Sequence, residues 1–363
     1  MKTQAQVLTG FRKPLEMQDF DLLPLAPGEV LVRLTAAGVC GSDLHMASGE
    51  DPRTPLPIIL GHEGVGEIVE IRGTKSDLAG RPLKVGQHIL WNRSVVCGRC
   101  FWCARGEQHL CRERFVYGIH RAVAVPPHVN GCYSRHLPLD ARTDIIAIDD
   151  IPPEHHATLV TASCTGSTAA HAFDLFPPAP DETVVIQGAG PLGCFVAALA
   201  RDLGVRQIIF ISRSEGRLAL ARQFGATHTI SIKQSTPEER KALVHSLTDG
   251  RGADAVYEMV GKAEVVREGI GLCRAGGRFI TAGFGQPGGK MEWDPFFDLT
   301  RPDLKYVGVW VSHTRHTVRA LDLMRRRLDD FGHLVTHKVP LAEVGRAHDL
   351  MRSGEAMKAV LVP

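Results

Sequence analysis

With 363 residues, 44% of them hydrophobic and 23% charged, the chain can bury large cores, and at that length two domains are expected rather than one. A formal net charge of +2 with no long run of one sign gives no electrostatic case for nucleic acid or an anionic membrane as partner. The opening MKTQAQVLTGFRKPLE has no apolar signal-peptide core, which places the protein in the cytosol, and the uncharged stretches 155–173 and 183–200 do not read as membrane spans.

Over the first 150 residues, glycine, proline and β-favouring residues dominate. GEVLVRLTAAGV, EGVGEIVEI and GQHILW read as short strands split by turns, which predicts a β-rich, barrel-like domain. Within it, GVCGSDLH and GHEGVGE place Cys40, His62 and Glu63 at strand ends beside glycines, where side chains can enter a cleft. A lone buried Cys or His is more often plain core. A core strand would not also hold the polar Ser42, Asp43 and His45 beside Cys40.

Next comes CGRCFWCARGEQHLC, with Cys97, Cys100, Cys103 and Cys111 at spacings of two, two and seven residues. In a reducing cytosol these are not expected to form disulfides, and thiolates so close together suit tetrahedral Zn²⁺. Four thiolates fill the coordination sphere, so this ion would be structural and the chemistry should lie elsewhere.

Near IPPEHHATLVTASCTGSTAAHAF the pattern turns helical, and Cys164 lies on that helix. Alone it reads as a small core residue; it matters only if the fold brings it to Cys40 and His62. From Thr183 onward strands and helices alternate: TVVIQ, PLGCFVAALARDLG, QIIFIS, EGRLALARQFG, then strands at AVYEMV, RFITAG and KYVGVWV. This is the rhythm of a doubly wound parallel sheet. RAHDLMRSGEAMKAVLV closes the chain as a helix and a strand.

The turn GAGPLG, with Gly188, Gly190, Pro191, Leu192 and Gly193, follows an apolar strand and opens a helix. Glycines there permit a tight turn and close approach of a pyrophosphate to a helix N-terminus. The next strand ends in Ser212, followed by Arg213, where an acidic residue would bind the ribose hydroxyls of NAD. A serine does not repel a 2′-phosphate and the arginine could pair with one, so NADP is favoured and NAD remains the alternative.

These constellations, in this order, resemble the zinc-dependent medium-chain alcohol dehydrogenases over nearly the whole chain. GHEGVGEIVEIRG, the four-cysteine lobe and GAGPLG carry the resemblance, and WNRSVVCGRCFWC with VYGIHRAVAVPPHVNGCYSRH is similar to a less-studied bacterial subgroup. The resemblance implies an α/β protein: a GroES-like catalytic domain over 1–163 with a zinc lobe at 92–115, a Rossmann domain over 164–310, and a return to the catalytic domain over 311–363. It implies reversible hydride transfer between a primary or secondary alcohol and NAD(P), with the alkoxide held on zinc.

Residue by residue, it gives Cys40, His62 and Cys164 as ligands of a catalytic zinc, with Glu63 beneath it able to exchange with the bound water. Asp43 would orient His62, Ser42 would receive the alcohol proton and His45 would relay it. Thr168 and Lys358 match cofactor-contacting positions, Lys358 near the pyrophosphate, and Gly261 and Gly283 would lie near the nicotinamide ribose. A homodimer or homotetramer would pair sheets at the edge strand KYVGVWV. Where well-known relatives carry apolar residues, this chain has Trp91, Asn92 and Arg93. Arg93 either recognises an anionic group of the substrate or folds outward, and the usual exposure of arginine favours the second. The competing readings are a zinc-free quinone-reductase-like enzyme and a non-enzymatic zinc-binding protein. The ligand residues argue against the first, and the lack of a basic aromatic surface beside the lobe against the second.

Overall fold

The computed structural model describes residues 1–363 and divides into two units: Met1–Cys164 with His313–Pro363, and Thr165–Ser312. Each is built around its own sheet.

In the first unit the alternation of VLVRLTAAG buries one face of strand Val30–Gly38, which becomes the hub of a seven-stranded sheet. On one side it pairs antiparallel with Glu63–Ile71, followed by His88–Trp91 and Ile145–Ala147. On the other it pairs with Ala359–Val362, so the last residues of the chain complete the sheet begun by the first; His136–Leu139 also pairs with it. Lys2–Leu8, Glu16–Asp21 and Ile58–Ile59 form a small second sheet. Val30, Val32, Leu34, Ile68, Ile89, Leu139 and Leu361 are buried together in this core. Each such side chain contributes about 1.5–3 kcal/mol on burial.

The second unit is a six-stranded parallel sheet. In space the strands run His228–Ser231, Gln207–Ser212, Thr183–Gln187, Ala253–Glu258, Cys273–Thr281, Lys305–Gly308. In chain order that is 3-2-1-4-5-6, the doubly wound arrangement whose ligand crevice lies at the carboxyl end of the first strand. TVVIQ is buried along its whole length because helices cover both faces of a central parallel strand. The first of these helices, Pro191–Asp202, starts with proline, whose fixed φ and missing N–H suit a first turn.

Two expectations change here. The domain boundaries fall at 164/165 and 312/313 instead of 163/164 and 310/311, so Cys164 belongs to the first unit, with Cys40. The helix expected around 151–173 is also not continuous: Pro153–His155 is a 3₁₀ turn, His156–Thr161 and Ser167–Leu175 are α-helical, and Ala162–Gly166 between them is a π-turn. A π-turn inserts an extra residue and re-aims the side chains it carries, and here it carries Cys164.

Candidate active site

Strand Val30–Gly38 ends just before Cys40, whose extended backbone caps helix Gly41–Ser48. The Asp43 carboxylate, fully buried, accepts the Cys40 N–H at 2.8 Å through Oδ2 and the Gly61 N–H at 3.2 Å through Oδ1. One side chain thus ties the loop of Cys40 to the turn that presents His62. The same Oδ1 lies 3.4 Å from His62 Nδ1, close enough to orient the ring, although the pair lacks hydrogen-bond alignment and neither His62 nitrogen has a partner. Burial opposes a charge on this ring, but Asp43 and Cys40 outweigh it and hold its pKa up to about 10. A metal ion would displace that proton.

The π-turn brings Cys164 Sγ to 4.0 Å from Cys40 Sγ. That is far beyond a disulfide. It matches the edge of a tetrahedron with Zn–S bonds of about 2.3 Å, which is about 3.8 Å. Hydrogen bonding between the two thiols lowers Cys40 well below the usual range, and it joins burial in raising Cys164.

Glu63 opens the strand paired with Val30–Gly38, and its carboxylate packs over Gly38, where a Cβ would lie only 2.1 Å from Oε2. Only glycine fits there. Oε2 is also 2.5 Å from Lys358 Nζ, and both residues are almost wholly buried. Burial pushes the Glu63 carboxyl up, against the pull of Lys358, while burial of Lys358 is overcome by Glu63, which raises it. Oε1 has no hydrogen-bond partner. The ligand atoms of Cys40, His62, Glu63 and Cys164 all lie within 4.8 Å of one another. A buried set of two thiolates, an unpartnered imidazole and a carboxylate fits zinc.

Lys358, expected near a pyrophosphate, pairs with Glu63, because a buried carboxylate needs a counter-charge. Arg93, expected at the surface, is only 5% exposed and its Nη1 donates to Cys164 Sγ at 2.5 Å. Ser42 and His45 lie on helix Gly41–Ser48, three residues apart and so on one face; Ser42 is half-buried. His45 Nδ1 is 2.5 Å from Glu50 Oε2.

The second cluster is local. Cys97, Cys100, Cys103 and Cys111 bring their sulfurs within 4.8 Å, with Cys100 to Cys103 and Cys97 to Cys111 at 3.6 Å and Cys97 to Cys103 at 4.0 Å. The short ladder Ser94–Val95 with Phe115–Val116 closes the base of the loop. These S···S distances again suit a tetrahedral thiolate site, here with every position filled.

In the second unit Gly188 adopts φ +105° and Gly193 packs on it so tightly that a Cβ would be 2.1 Å from the Gly188 carbonyl. A Cβ on Gly190, by contrast, would meet nothing within 4 Å. This leaves open space at the N-terminus of Pro191–Asp202, where free N–H groups can receive a pyrophosphate. Ser212 ends its strand, Arg213 is exposed beside it, and Thr168 is half-buried on Ser167–Leu175. A Cβ on Gly261 would collide with the Gly283 carbonyl at 2.4 Å, so these two loops touch through backbone. Sequence reasoning missed the residue that holds them. Glu258 is fully buried, accepts the Val260 and Gly261 N–H groups at 2.6 Å through Oε1, and takes the Thr281 hydroxyl at 2.7 Å through Oε2. An acid at the end of a strand, after the buried run Ala255–Tyr257 and three residues before a glycine, was the available signal.

Comparison with known proteins agrees with this fold. Residues 26–150 match the alcohol dehydrogenase GroES-like domain and residues 191–326 the zinc-binding dehydrogenase family. The chain is 33% identical to 5-exo-hydroxycamphor dehydrogenase of Pseudomonas putida, over 96% of this chain and 95% of that one. An alcohol dehydrogenase structure from Thermotoga maritima superposes with a TM-score of 0.95 at 43% identity, covering all of both chains. A zinc-binding dehydrogenase from Sinorhizobium meliloti bound to NADP superposes at 0.85 with 26% identity, again over the full length of both. The chain belongs to the zinc-binding medium-chain alcohol dehydrogenase family. It is an NAD(P)-dependent oxidoreductase acting on CH–OH groups of small molecules, with a GroES-like domain and a Rossmann domain. No helix is long and apolar enough to cross a membrane.

Proposed function

We propose that this protein interconverts an alcohol and its carbonyl compound with two zinc ions per chain, one held by Cys40, His62 and Cys164 and one by the four-cysteine lobe. The observation that carries the reading is the convergence of Cys40, His62, Glu63 and Cys164 within 4.8 Å from distant parts of the sequence. When bound, zinc supplies Lewis acidity at the substrate oxygen and the nicotinamide supplies the hydride acceptor.

The chain's own residues do the rest. Asp43 holds Cys40 and the His62 turn in place, so His62 offers Nε2 to the metal. Lys358 neutralises Glu63 and holds its carboxylate back, leaving a fourth position for substrate. Ser42 takes the hydroxyl proton. His45, with Nδ1 on Glu50, presents Nε2 to carry that proton to solvent.

On the cofactor side, the GAGPLG turn receives the pyrophosphate, Gly261 and Gly283 border the nicotinamide ribose, and Thr168 adds a contact. Ser212 and Arg213 favour NADP over NAD: a charge-assisted pair with the 2′-phosphate is worth about ten- to a hundred-fold in affinity. The NADP-bound relative supports this preference. The cysteines of both clusters stay reduced and free to bind metal in a reducing compartment, which fits the cytosol. Lys305–Gly308, the open edge of the six-stranded sheet, is the surface for a homodimer or homotetramer.

The test is a panel of primary and secondary alcohols with both cofactors, read by nicotinamide absorbance, alongside zinc counting. Turnover with two zincs supports the reading; turnover that survives removal of all metal refutes it. Ser212→Asp should reverse the cofactor order by repulsion and Arg213→Ala should narrow it. A wild-type preference for NAD unmoved by Arg213→Ala would leave that arginine a surface residue.

A further inference from the structure

Arg93 is a buried cation without an acid. It follows strand His88–Trp91, is 5% exposed, and its guanidinium meets the Cys164 sulfur at 2.5 Å and no carboxylate. Of its five N–H donors one is accounted for in this way. Burying a guanidinium without an acid is costly, and the charges nearest to it are already spoken for. Under the proposed function the two thiolates would balance a divalent ion, Lys358 balances Glu63, and Asp43 is occupied by the N–H groups of Cys40 and Gly61.

A second arginine stands close by. Arg114, half-buried, donates through Nη1 to the hydroxyl of Ser94 at 3.3 Å, the residue next to Arg93, and it too has no carboxylate partner. Neither guanidinium of this pair meets a carboxylate. Arg53 is bound by Asp51 through two hydrogen bonds of 2.8 and 2.7 Å.

The segment that carries Arg93 is pinned on both sides. Asn92 accepts the Ser94 N–H at 3.1 Å and donates to the Thr314 hydroxyl at 2.7 Å, which in turn donates to Asp144. The Tyr117 N–H closes on the Arg93 carbonyl at 3.1 Å. The guanidinium is presented on a rigid turn, which limits the entropy lost on binding.

We propose that Arg93 and Arg114 receive an anionic group, a carboxylate or a phosphate, carried by the substrate alcohol. The inference rests on the assignment of Cys40, His62 and Cys164 as the reacting centre, since contact with Cys164 is what places Arg93 beside it. It narrows the substrate class to hydroxy acids and phosphorylated alcohols. Guanidinium suits either anion through paired N–H donors.

Matched substrates test it in the zinc-loaded enzyme: 3-hydroxybutanoate against 2-butanol for the carboxylate, glycerol 3-phosphate against glycerol for the phosphate. The wild type should favour the anionic member of one pair by about ten- to a hundred-fold in kcat/KM. Arg93→Met and Arg114→Met should each cut that ratio by about tenfold or more, and added salt should erode it. Zinc content reports whether Arg93→Met disturbs the metal set. If it does, Arg114→Met carries the test, because Arg114 donates to Ser94 and not to a ligand. A wild-type ratio near one, or a ratio unmoved in both variants, overturns the proposal while leaving alcohol oxidation standing. If no alcohol turns over with either cofactor, the proposed function is the part that fails. Calorimetric binding of inorganic phosphate and acetate to wild type and Arg114→Met then decides: binding lost in the variant supports the receptor, and equal or absent binding refutes it.

Discussion

The two clusters of candidate metal ligands in this chain are built from similar side chains by opposite routes. The lobe draws four sulfurs from fifteen consecutive residues, and its first two cysteines, Cys97 and Cys100, stay partly exposed. The other cluster collects Cys40, His62, Glu63 and Cys164 from a helix cap, a turn with a strand start, and a π-turn, and three of the four are buried. The lobe needs little beyond its own loop and a two-stranded base. The second cluster exists only because the fold of the first unit is complete, with the C-terminal strand delivering Lys358 to Glu63. Charge separates them further. A set of four thiolates is closed around its ion and offers a substrate nothing. The mixed set is bordered by Lys358, Arg93 and Asp43, which meet Glu63, Cys164 and His62 respectively. Local spacing suits a permanent clamp, whereas convergence from afar suits a site that must keep one position free.

The strongest way to break this contrast is to remove a ligand from the mixed set. Cys40→Ala or His62→Ala should lower turnover by about 10³-fold or more and reduce zinc from two per chain to one, with the chain still folded. Full activity with a single zinc would reverse the roles of the clusters. Cys100→Ser tests the other side. Opening the lobe should cost several kcal/mol of stability, seen as a thermal midpoint several degrees lower, with cofactor affinity retained until unfolding. A variant of wild-type stability that has lost turnover would move catalysis into the lobe.

Ser42→Ala sharpens the proton path. Both zincs and cofactor binding should persist while alcohol oxidation slows by about 10²-fold. An unchanged rate at neutral pH would send the proton by another route.

Acid should also distinguish free from bound ligands. His62 holds a proton up to about pH 10, and Cys164 lies well above the ordinary thiol, so metal entering the mixed set must expel protons. Its apparent zinc affinity should therefore rise with pH between about 6 and 8, by tenfold or more per unit where at least one proton is released. Calorimetry in two buffers of different ionisation heat reads the proton count. A pH-independent affinity would mean that His62 and Cys164 are already deprotonated and that Asp43 does not act on the ring as described.

Much of the second unit was legible because its signals are local. TVVIQ followed by GAGPLG needs only an apolar strand and glycines whose positive φ or close packing no other residue tolerates, as Gly188 and Gly193 display. The lobe was legible for the same reason, since four thiols in one loop leave few alternatives. Spacing could not reveal the environment of charges. Arg93 reads as an ordinary arginine until strand Ser94–Val95 and the π-turn at Cys164 enclose it. The pairing of Lys358 with Glu63 exists only once strand Ala359–Val362 is in place, and Glu258 is only one acid among many until two loops close on it.

By itself the amino-acid sequence determined the strand and helix periodicities, the glycine turn and the closed thiolate loop, because these depend on neighbours a few residues away. Only the tertiary structure decided that Cys164 meets Cys40, that Lys358 serves Glu63, and that Arg93 lies buried with no acid to answer it. Burial and pairing of charge depend on residues tens to hundreds of positions apart, and their energies appear only once water has been excluded around them.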